Sequence, residues 1–543
     1  MNNAIFTFPH PQNEPIKSYA PGSAERNELK SKLEEFKSKQ IDIPLIIGGK
    51  EIRTGDTGTV VMPTDHGHVL ATYHKASAEH VQMAIDAALE ARKSWSEMPW
   101  VERASITLKA AELLATKYRA DINAATMLGQ GKSPFQAEID SACETIDFLR
   151  FNAAYASQIY AQQPNSSPGV INRMEYRPLE GFVFALSPFN FTAIASNLNM
   201  SPVLMGNATV WKPATTAILS NYILMKVFKE AGLPDGVINF IPGKGSTIGK
   251  VIFDSPDLGG IHFTGSTNTF QHFWKSIGNN IFKYKSYPRI VGETGGKDFI
   301  FAHSSANVDI LSTAITRGAF EYQGQKCSAA SRAYIPKSLW PEILKQVKAE
   351  VADFTMGDVT DFSNFMNAVI DKSAFDSIAN YIQMAKDSNE AEIVIGGGCD
   401  DSKGYFIEPT VIVVTNPHFV TMEEEIFGPV LTIYVYEDDQ YAETLELCDK
   451  TSPYALTGAI FAQDRVKLLQ GYEALRYAAG NFYLNDKPTG AVVDQQPFGG
   501  ARGSGTNDKA GSYLNLIRWT NARTIKETLV APTNYRYPFL DKE

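Results

Sequence analysis

The chain has 543 residues, of which 44% are hydrophobic and 20% charged, the composition of an ordinary globular protein. Its length predicts roughly two to four domains. The formal net charge of −10 argues against nucleic acid as a partner, because proteins that bind polyanions usually carry a basic stripe.

The cysteine count indicates a reducing compartment, and the N-terminal residues bear on targeting. The four cysteines contain no CxxC pair and are too few for a disulfide framework in a chain of this length. No apolar run approaches the roughly 20 residues that a membrane span needs, so we expect no membrane partner. The first 40 residues are rich in acids, unlike a secretory or transit peptide. We therefore expect a cytoplasmic protein if the source is bacterial, and a mature protein of the mitochondrial matrix if it is eukaryotic.

The first third of the chain is predicted to be mostly helical. Residues 1–50 are polar and punctuated by proline, which indicates an arm laid over the surface. Apolar residues recur at helical spacing over 77–95, and a second helix is predicted over 101–118. A third helix is predicted to begin after Ser133, because Pro134 follows it and Gln136 stands at the capping-box position.

From Gly181 onward, short apolar strands alternate with helices. Residues 181–186 (GFVFAL) and 207–211 (NATVW) are typical of buried strands, and a helix over 220–231 is predicted to end at Gly232. The alternation resumes after Glu293. This pattern predicts βαβ units, and therefore two α/β lobes with parallel sheets that join near residues 287–296. A strand-like stretch at 171–178 and an apolar stretch at 517–519 lie outside this pattern, and we interpret them as appendages for subunit contacts.

Cys327 lies in a window of small and polar residues, FEYQGQKCSAASR over 320–332. A cysteine is usually a small buried hydrophobe, but this window would make a poor core. A thiolate that attacks a carbonyl needs close approach from a loop of small residues and a positive local field. We therefore interpret Cys327 as an exposed nucleophilic thiol.

Two other polar residues follow predicted strands. Glu293 stands in GETGGK (292–297), where an acid before a glycine turn is either simply solvated or placed to activate water. Asn190 stands in SPFNF (187–191), where it is either a turn residue or an amide donor to an oxyanion. Because ligands of open parallel sheets bind beyond the carboxyl ends of the strands, both residues are candidates for a site.

A phosphate-binding pattern also appears at a strand end. FTGST (263–267) places a glycine and hydroxyl residues at the start of a helix, and Lys212 in WKP places an ammonium after another strand. The GxGxxG fingerprint is absent, so this pattern alone does not establish dinucleotide binding. His66 and His68 form an HxH without a third ligand nearby. We interpret them as turn residues and expect no metal.

Taken in this order, SPFNF, WKP, FTGST, GETGGK, GQKCS, EEIFGPV (424–430) and QPFGG (496–500) resemble the motifs of the aldehyde dehydrogenase superfamily. The resemblance runs from about Pro63 to Trp519. It implies an α/β fold with two parallel-sheet lobes, one dinucleotide-binding and one catalytic, and a small β oligomerisation flap. It also implies NAD as the cofactor and a homo-oligomer, either a dimer or a larger assembly.

The resemblance also divides the chain. It implies that residues 1–165 and 180–290 form the N-terminal helices and the NAD-binding domain, and that residues 291–485 form the catalytic domain. Residues 166–179 and 510–543 would form the oligomerisation flap. Residues 486–509 would be a substrate-anchor segment that returns to the NAD-binding lobe.

Site roles follow by motif. Cys327 is similar to the family nucleophile and Glu293 to the acid that activates water, while Asn190 and the Cys327 N–H would form the oxyanion hole. The implied cofactor contacts are Ser187, Lys212, Gly265, Ser266 and Thr267, with Glu425 on the nicotinamide ribose and Phe427 packed beside the ring. The implied reaction is attack by the thiolate, hydride transfer to the nicotinamide, and hydrolysis of a thioester. Because acylating relatives generally lack an acid at the Glu293 position, this residue favours hydrolysis over transfer to coenzyme A.

Within the superfamily, SPFNFTAI, FEYQGQKCSAASR, KPTGAVVDQQPFGG and RGSGTND resemble the 1-pyrroline-5-carboxylate dehydrogenase branch, which oxidises L-glutamate γ-semialdehyde in the second step of proline catabolism. By motif, the substrate carboxylate would be held by Gly490, Ala491 and Ser328, with Phe191 and Phe498 flanking the aliphatic chain. Ala491 stands where some relatives have serine. Thr215 stands where many NAD-selective relatives have glutamate, so the choice of NAD is implied by the branch alone.

Three other functions were weighed against this one. A catalytically silent binding protein of the same fold is disfavoured, because Cys327, Glu293 and Asn190 are all present. An NAD(P)-dependent dehydrogenase for another short semialdehyde, such as succinic semialdehyde, is the main alternative. A fused proline-oxidising enzyme would need a second barrel of roughly 250 residues, for which the chain has no room.

Overall fold

The computed structural model describes residues 7–543, and its two largest sheets each have seven strands. The first sheet is parallel over its first five strands and antiparallel over the last two. Its strands lie in the order Arg289–Glu293, Leu258–Thr264, Phe182–Leu186, Thr209–Lys212, Ile238–Phe240, Leu45–Ile47 and Lys50–Ile52. The strand Phe182–Leu186 is apolar throughout because both of its faces are covered: Phe182 and Phe184 pack into one core cluster and Ala185 into another.

The second sheet is parallel except for one edge strand. Its strands lie in the order Ala391–Ile395, Thr410–Val414, Val430–Tyr436, Ala330–Pro336, Asp298–Ala302, Thr457–Phe461 and Asn481–Leu484. Phe299 and Phe301 face one core cluster, while Ile300 and Ala302 face another. The two sheets confirm the predicted α/β class with two parallel-sheet lobes.

Helices cover both sheets, and several of them begin or end at caps that the sequence provides. Ser77 and His80 form a capping box, and the helix that ends at Ala231 is closed by Gly232 in the left-handed region, with φ of 98°. The first lobe carries Ala24–Lys37, Ala78–Glu97, Trp100–Ala115, Arg119–Gln130, Pro134–Ala137, Thr145–Ala161, Thr192–Leu204, Ile218–Ala231, Gly245–Asp254, Thr267–Asn279 and Tyr513–Ile517. The second carries Val308–Phe320, Trp340–Ala352, Lys372–Lys386, Val420–Glu423, Tyr441–Lys450 and Arg465–Ala474.

The N-terminal region differs in part from the arm predicted over residues 1–50, of which 1–6 lie outside the described residues. Residues 7–23 contain no helix or strand, as an arm would, but the part that follows is regular structure. Within it, Ala24–Lys37 is a helix that buries Leu29, Leu33 and Phe36, and Leu45–Ile47 is a strand of the first sheet. The apolar residues recur at helical spacing, so burial of one face stabilises the helix despite its polar composition. The histidines of the HxH also lie in a strand, Asp65–His74, and not in a turn.

The helix predicted after Ser133 is interrupted. It has one α-helical segment, Pro134–Ala137, then a π-helical stretch at Glu138–Glu144, and it resumes at Thr145–Ala161. Extra residues of this kind inside a helix often occur at functional sites, because they turn side chains off the regular helical face.

Two implied domain boundaries are displaced. Arg289–Glu293 pairs in parallel with Leu258–Thr264, so the boundary between residues 290 and 291 falls inside a strand of the first sheet. Leu516 and Trp519 are fully buried in the first lobe, so the predicted appendage at 517–519 is part of that core. The antiparallel ribbon outside both lobes pairs Val170–Pro178 with Thr520–Thr528.

Smaller sheets complete the fold. A three-stranded sheet contains Ile41–Ile43, Asp65–His74 and Thr57–Met62, and two short ladders pair Cys399–Asp400 with Phe406–Ile407 and Tyr454–Ala455 with Ala501–Arg502. In the described part of the chain, no helix is long and apolar enough to cross a membrane.

Candidate active site

A cavity of about 400 Å³ opens where the two sheets face each other. Glu293 enters it from the end of the first sheet, and Cys327 enters it from the loop before the strand Ala330–Pro336. Residues predicted to hold the substrate line the same cavity: Phe191, Ser328, Gly490, Ala491 and Phe498. The fold therefore brings these seven predicted residues, distant in sequence, around one space.

The loop before Cys327 is bent sharply and held firmly. Tyr322, Gln323 and Gly324 are all in the left-handed region, with φ of 53°, 54° and 65°. A Cβ on Gly324 would lie 2.2 Å from the carbonyl oxygen of Gly428, so only glycine fits there. The Gln323 side chain donates to the carbonyls of Gly131 and Ala368, each at 2.9 Å. Strained backbone of this kind persists when its surroundings fix it, and it is common at active sites.

Cys327 is partly exposed to the cavity, but its electrostatic surroundings differ from the expected positive field. Burial raises the pKa of the Cys327 thiol well above its usual range, and the carboxyl groups of Asp298 and Glu293 raise it further. The neighbouring ammonium of Lys326 is paired with Glu321 at 3.3 Å. Because burial and these carboxyl groups favour the protonated thiol, a base in the same cavity would assist its attack.

Glu293 is placed to be that base. It is the last residue of its strand, and its Oε2 accepts a hydrogen bond of 3.0 Å from the Gly500 N–H. Burial raises the pKa of Glu293 well above the usual carboxyl range, although the Gly500 N–H opposes this effect. A carboxyl whose pKa is raised is a better proton acceptor in its ionised form than an exposed one.

Asn190 lies against the nucleophile loop. Its side-chain amide donates to the carbonyl oxygen of Gln325 at 3.1 Å, two residues before Cys327. The helix that follows begins at Thr192, and Asp140 caps it by accepting hydrogen bonds from the N–H groups of Thr192 and Ala193 at 3.0 and 2.9 Å. This cap fixes the direction in which the Asn190 loop enters the site.

The candidate carboxylate-binding segment is tied to the nucleophile loop. The hydroxyl groups of Ser328 and Thr489 lie 2.8 Å apart, next to Gly490, whose φ of 95° turns the backbone. The Lys132 ammonium lies over the Phe191 ring, 4.0 Å from its centroid, and pairs with Asp140 at 2.6 Å. The ring is thus held by a cation–π contact, so it offers a rigid apolar wall beside the thiol.

Sequence reasoning missed several residues that line the cavity. Lys487 and Thr489 stand just before the predicted residues Gly490 and Ala491, and their place within the KPTGAVV motif could have indicated them. Glu144 ends the π-helical stretch, and burial raises its pKa well above the usual carboxyl range. Asn13, Glu14 and Ile16 also contribute, because residues 13–16 of the N-terminal segment cover the cavity. No local pattern marks them.

The predicted cofactor residues lie at adjacent strand ends of the first sheet. Lys212 is the last residue of the strand Thr209–Lys212. Gly265 and Ser266 follow the strand Leu258–Thr264, which lies two places away in the same sheet. Ser266 caps the helix Thr267–Asn279, whose free N–H groups therefore point at this crevice. The Lys212 ammonium donates only to the carbonyl of Pro213, at 3.2 Å, and burial lowers its pKa to about 8. Ser187 differs, since its hydroxyl is buried and accepts from Trp211 at 2.9 Å.

The second sheet supplies Glu425 and Phe427 from the loop before the strand Val430–Tyr436. Glu425 accepts a hydrogen bond of 2.9 Å from the Gly296 N–H, and burial raises its pKa to about 7. Phe427 has φ of 58° and packs edge-on against Phe189 with ring centroids 5.8 Å apart. A helix N-terminus and an ammonium suit a pyrophosphate, and a carboxyl suits ribose hydroxyls, so these residues fit a dinucleotide.

Residues 7–543 contain no group of three or more His, Cys, Asp or Glu side chains arranged to hold a metal ion.

The family follows from comparison with known proteins. A model of the aldehyde dehydrogenase family matches residues 52–525, most of the chain. The chain belongs to the aldehyde dehydrogenase family. This confirms the resemblance that the ordered motifs predicted.

Solved aldehyde dehydrogenase structures share the fold along the whole chain. The Δ-pyrroline-5-carboxylate dehydrogenase of Mycobacterium tuberculosis, solved with bound NAD, is 51% identical with a TM-score of 0.96, and the match covers 100% of both chains. A 1-pyrroline-5-carboxylate dehydrogenase from Thermus with bound NAD is 32% identical with a TM-score of 0.90, over 96% of this chain and 100% of that one.

Curated relatives carry the same name. The mitochondrial Δ-1-pyrroline-5-carboxylate dehydrogenase of Dictyostelium discoideum is 55% identical over 536 residues, which cover 98% of this aldehyde dehydrogenase and 96% of the relative. The mitochondrial protein of that name from Bos taurus is 49% identical over 529 residues, covering 97% and 94%.

Proposed function

We propose that the protein is an NAD-dependent dehydrogenase that oxidises L-glutamate γ-semialdehyde, the open form of 1-pyrroline-5-carboxylate, to L-glutamate. This is the second step of proline catabolism. The proposal rests on one observation: Cys327, Glu293 and the anchor residues Ser328, Gly490 and Ala491 line the same cavity. Relatives at about half identity over the whole chain carry the corresponding name.

The reaction begins with the thiol. Glu293 accepts the proton of Cys327, which the acidic surroundings otherwise keep on sulfur, and the sulfur then adds to the aldehyde carbon. The Asn190 amide and the Cys327 N–H stabilise the oxygen that becomes negative, as donors placed before the reaction do in oxyanion holes. NAD, when held by Lys212, Gly265, Ser266, Thr267, Glu425 and Phe427, supplies the hydride acceptor.

The reaction ends with hydrolysis. Oxidation leaves a thioester on Cys327, and Glu293 releases the proton of the thiol to solvent. Glu293 then takes a proton from the water that attacks the thioester, and the Cys327 thiolate is the leaving group. Gly499 allows this arrangement, because a Cβ there would lie 3.0 Å from Glu293 Oε1. The product glutamate leaves with its new carboxylate, and the sulfur regains its proton.

Selectivity for an anionic aldehyde depends on residues 487–493, the anchor loop. The N–H groups near Gly490 and the hydroxyls of Ser328 and Thr489 offer neutral donors to the α-carboxylate. A Cβ on Gly490 would lie 3.5 Å from the Lys487 Nζ, so an ammonium lies directly beside this loop. Lys487 and Arg317 also line a surface cleft together with Asp309 and Asp486. Arg317 is paired with Glu321 at 2.7 Å, so the positive charge assigned to the carboxylate is that of Lys487.

Lys487→Met is expected to lower kcat/KM for glutamate semialdehyde by about tenfold, mostly through KM, because one charge-assisted contact to the carboxylate is lost. An uncharged aldehyde such as propanal should be oxidised as well as before. The exposed Lys93, which pairs with Glu90 on a surface helix, gives a matched control for the loss of one positive charge. Equal losses for both aldehydes would contradict a role of Lys487 in selecting anions.

Ala491→Ser is expected to lower KM for glutamate semialdehyde by roughly two- to tenfold with little change in kcat. The added hydroxyl would face the cavity as one more donor to the carboxylate, and one neutral hydrogen bond contributes about 0.5–1.5 kcal/mol. Steady-state kinetics with purified protein measure this change. A rise in KM would place the carboxylate away from residue 491.

The substrate itself is tested by comparing kcat/KM for glutamate semialdehyde and succinic semialdehyde, each with NAD and NADP. We expect glutamate semialdehyde with NAD to be favoured by at least about tenfold. A preference for succinic semialdehyde would overturn the proposed substrate while leaving the thioester chemistry intact.

We also propose that the protein works as a homo-oligomer, in which the antiparallel ribbon of Val170–Pro178 and Thr520–Thr528 contacts a second copy. The ribbon lies outside both lobes, and its residues are half-buried or exposed along almost its entire length. Light scattering after gel filtration should give a mass of at least two chains. A single-chain mass at micromolar concentration would contradict this proposal.

A further inference from the structure

Lys509 lies behind Glu293, on the segment that follows the anchor loop. Its ammonium donates hydrogen bonds to three neutral oxygens: the carbonyls of Gly480 at 2.8 Å and Gly499 at 3.0 Å, and the Asn481 side chain at 3.3 Å. These bonds use all three donors of the ammonium. Every N–H of the Lys509 ammonium is therefore hydrogen-bonded, and all three acceptors are neutral groups.

One of these bonds leads directly to Glu293. The Gly499 carbonyl and the Gly500 N–H belong to the same peptide group, and that N–H donates to Glu293 Oε2 at 3.0 Å. Because a peptide group is planar, a bond at its oxygen fixes the direction of its N–H. A cation on the oxygen also polarises the group and strengthens the hydrogen bond at the other end.

The surrounding contacts leave this peptide group little freedom. The Asn481 side chain accepts from the Gly499 N–H at 3.2 Å and donates to the Pro497 carbonyl at 3.1 Å. Phe498 and Ala510 exchange backbone hydrogen bonds of 2.9 and 2.8 Å. Lys509 itself is held in the left-handed region, with φ of 54°, a conformation that non-glycine residues adopt at a cost. The backbone is thus bent where it brings the ammonium behind the carboxylate.

We propose that Lys509 is a positioning residue that holds the Glu293 carboxylate through the Gly499–Gly500 peptide group and sets its basicity. This inference rests on the proposed function, in which Glu293 is the base. The ammonium does not touch the substrate, and it acts only through the peptide group and through its charge.

The charged and titratable groups near Glu293 determine the direction of the effect. Lys509 lowers the pKa of Glu293, Asp508 raises it, and burial raises it most. Asp508 is itself paired with Arg518 at 3.3 Å, and the Cys327 thiol faces Glu293 from the second sheet. Removing the Lys509 charge should therefore raise the pKa of Glu293, so that its basic form appears only at higher pH.

The test compares kcat as a function of pH for the full-length protein and its Lys509→Met, Lys509→Gln, Lys509→Arg, Glu293→Gln and Lys93→Met variants. Lys509→Met and Lys509→Gln should move the acid limb to higher pH by about half a unit or more and slow turnover below neutral pH several-fold. Lys509→Arg should restore most of the original profile, and Lys93→Met should leave it unchanged. The use of two neutral variants keeps the test valid if one of them fails to fold.

An acid limb that stays in place in both neutral variants, while Glu293→Gln abolishes it, would overturn the role of Lys509 and leave Glu293 as the base. If Lys509→Arg loses as much turnover as the neutral variants and its acid limb does not move, Lys509 has only a structural role. That result would also overturn the inference. If Glu293→Gln keeps the wild-type limb, the proposed base itself is wrong, and the inference about Lys509 falls with it.

Discussion

Cys327→Ala is expected to reduce aldehyde-dependent NADH formation by at least about 10³-fold, because without the sulfur no covalent adduct forms. Cys327 lines the cavity beside Glu293, and its loop is fixed by the hydrogen bonds of Gln323 and by the left-handed turn at 322–324. The change from thiol to methyl removes one atom in a partly open space, so the fold should be retained. Initial rates by NADH absorbance measure the loss.

The matched control is Cys399→Ala, since Cys399 is exposed on a short ladder and is not among the cavity residues. This variant should keep the wild-type rate. NAD binding by Cys327→Ala, followed by quenching of intrinsic fluorescence, should stay measurable, because the cofactor residues lie at other strand ends. Substantial oxidation by Cys327→Ala, with folding confirmed by circular dichroism, would remove Cys327 from the mechanism.

Glu293→Gln is expected to slow steady-state turnover by about 10²–10⁴-fold, the usual contribution of a general base. The amide keeps the shape of the side chain and can still meet the Gly500 N–H through its oxygen. It cannot accept a proton from the thiol or from water. The thioester on Cys327 should therefore persist long enough to be isolated after slow acylation.

The pH dependence of turnover tests the role of Glu293 in a second way. Burial raises the pKa of Glu293, so its basic form is lost as the pH falls through that raised value, and kcat should fall with it. In Glu293→Gln this acid limb should be absent from the hydrolysis step. Glu437→Gln, at an exposed acid paired with Lys337, is the matched control and should keep both the rate and the limb. A limb that is unchanged in Glu293→Gln would assign it to another group.

The sequence predicts the parts of the site that depend on local pattern. The strands before Ser187, Lys212 and Gly265 are short apolar runs that end in small or polar residues, and adjacent parallel strands bring such ends together. The family motifs add Cys327 and Glu293, which the fold places around one cavity. Here the chemistry requires a few residue types at fixed strand ends, so their order along the chain is informative.

Other parts of the site depend on contacts that no local pattern encodes. Asn13 donates to Asp147 at 2.9 Å and to the Val493 carbonyl at 3.0 Å, and it thereby joins the N-terminal segment to the anchor loop. The buried pair of Lys132 and Asp140 supports Phe191 across two helices. Asn13 is far in sequence from its partners, as Phe191 is from the pair that supports it, and a lysine or an asparagine alone predicts only a solvated side chain.

The local sequence also does not predict the electrostatic surroundings of the Cys327 thiol. A small-residue loop with Lys326 beside the cysteine predicts a positive field, yet Lys326 is paired with Glu321. Burial and nearby carboxyl groups are the largest influences on the pKa of the Cys327 thiol, and both raise it. Charge along the chain does not give charge in space, because burial and pairing determine which groups act on the sulfur. In the proposed mechanism, Glu293 is the base that removes the proton from this thiol.

The central claim is that oxidation proceeds through an acyl group on Cys327. The most direct measurement is peptide mass spectrometry of the Glu293→Gln variant, quenched in acid after incubation with glutamate semialdehyde and NAD. We expect a peptide containing residue 327 that carries the glutamyl acyl group, and no such peptide when NAD is omitted. An unmodified Cys327 peptide under conditions in which NADH has formed would contradict an acyl intermediate on Cys327.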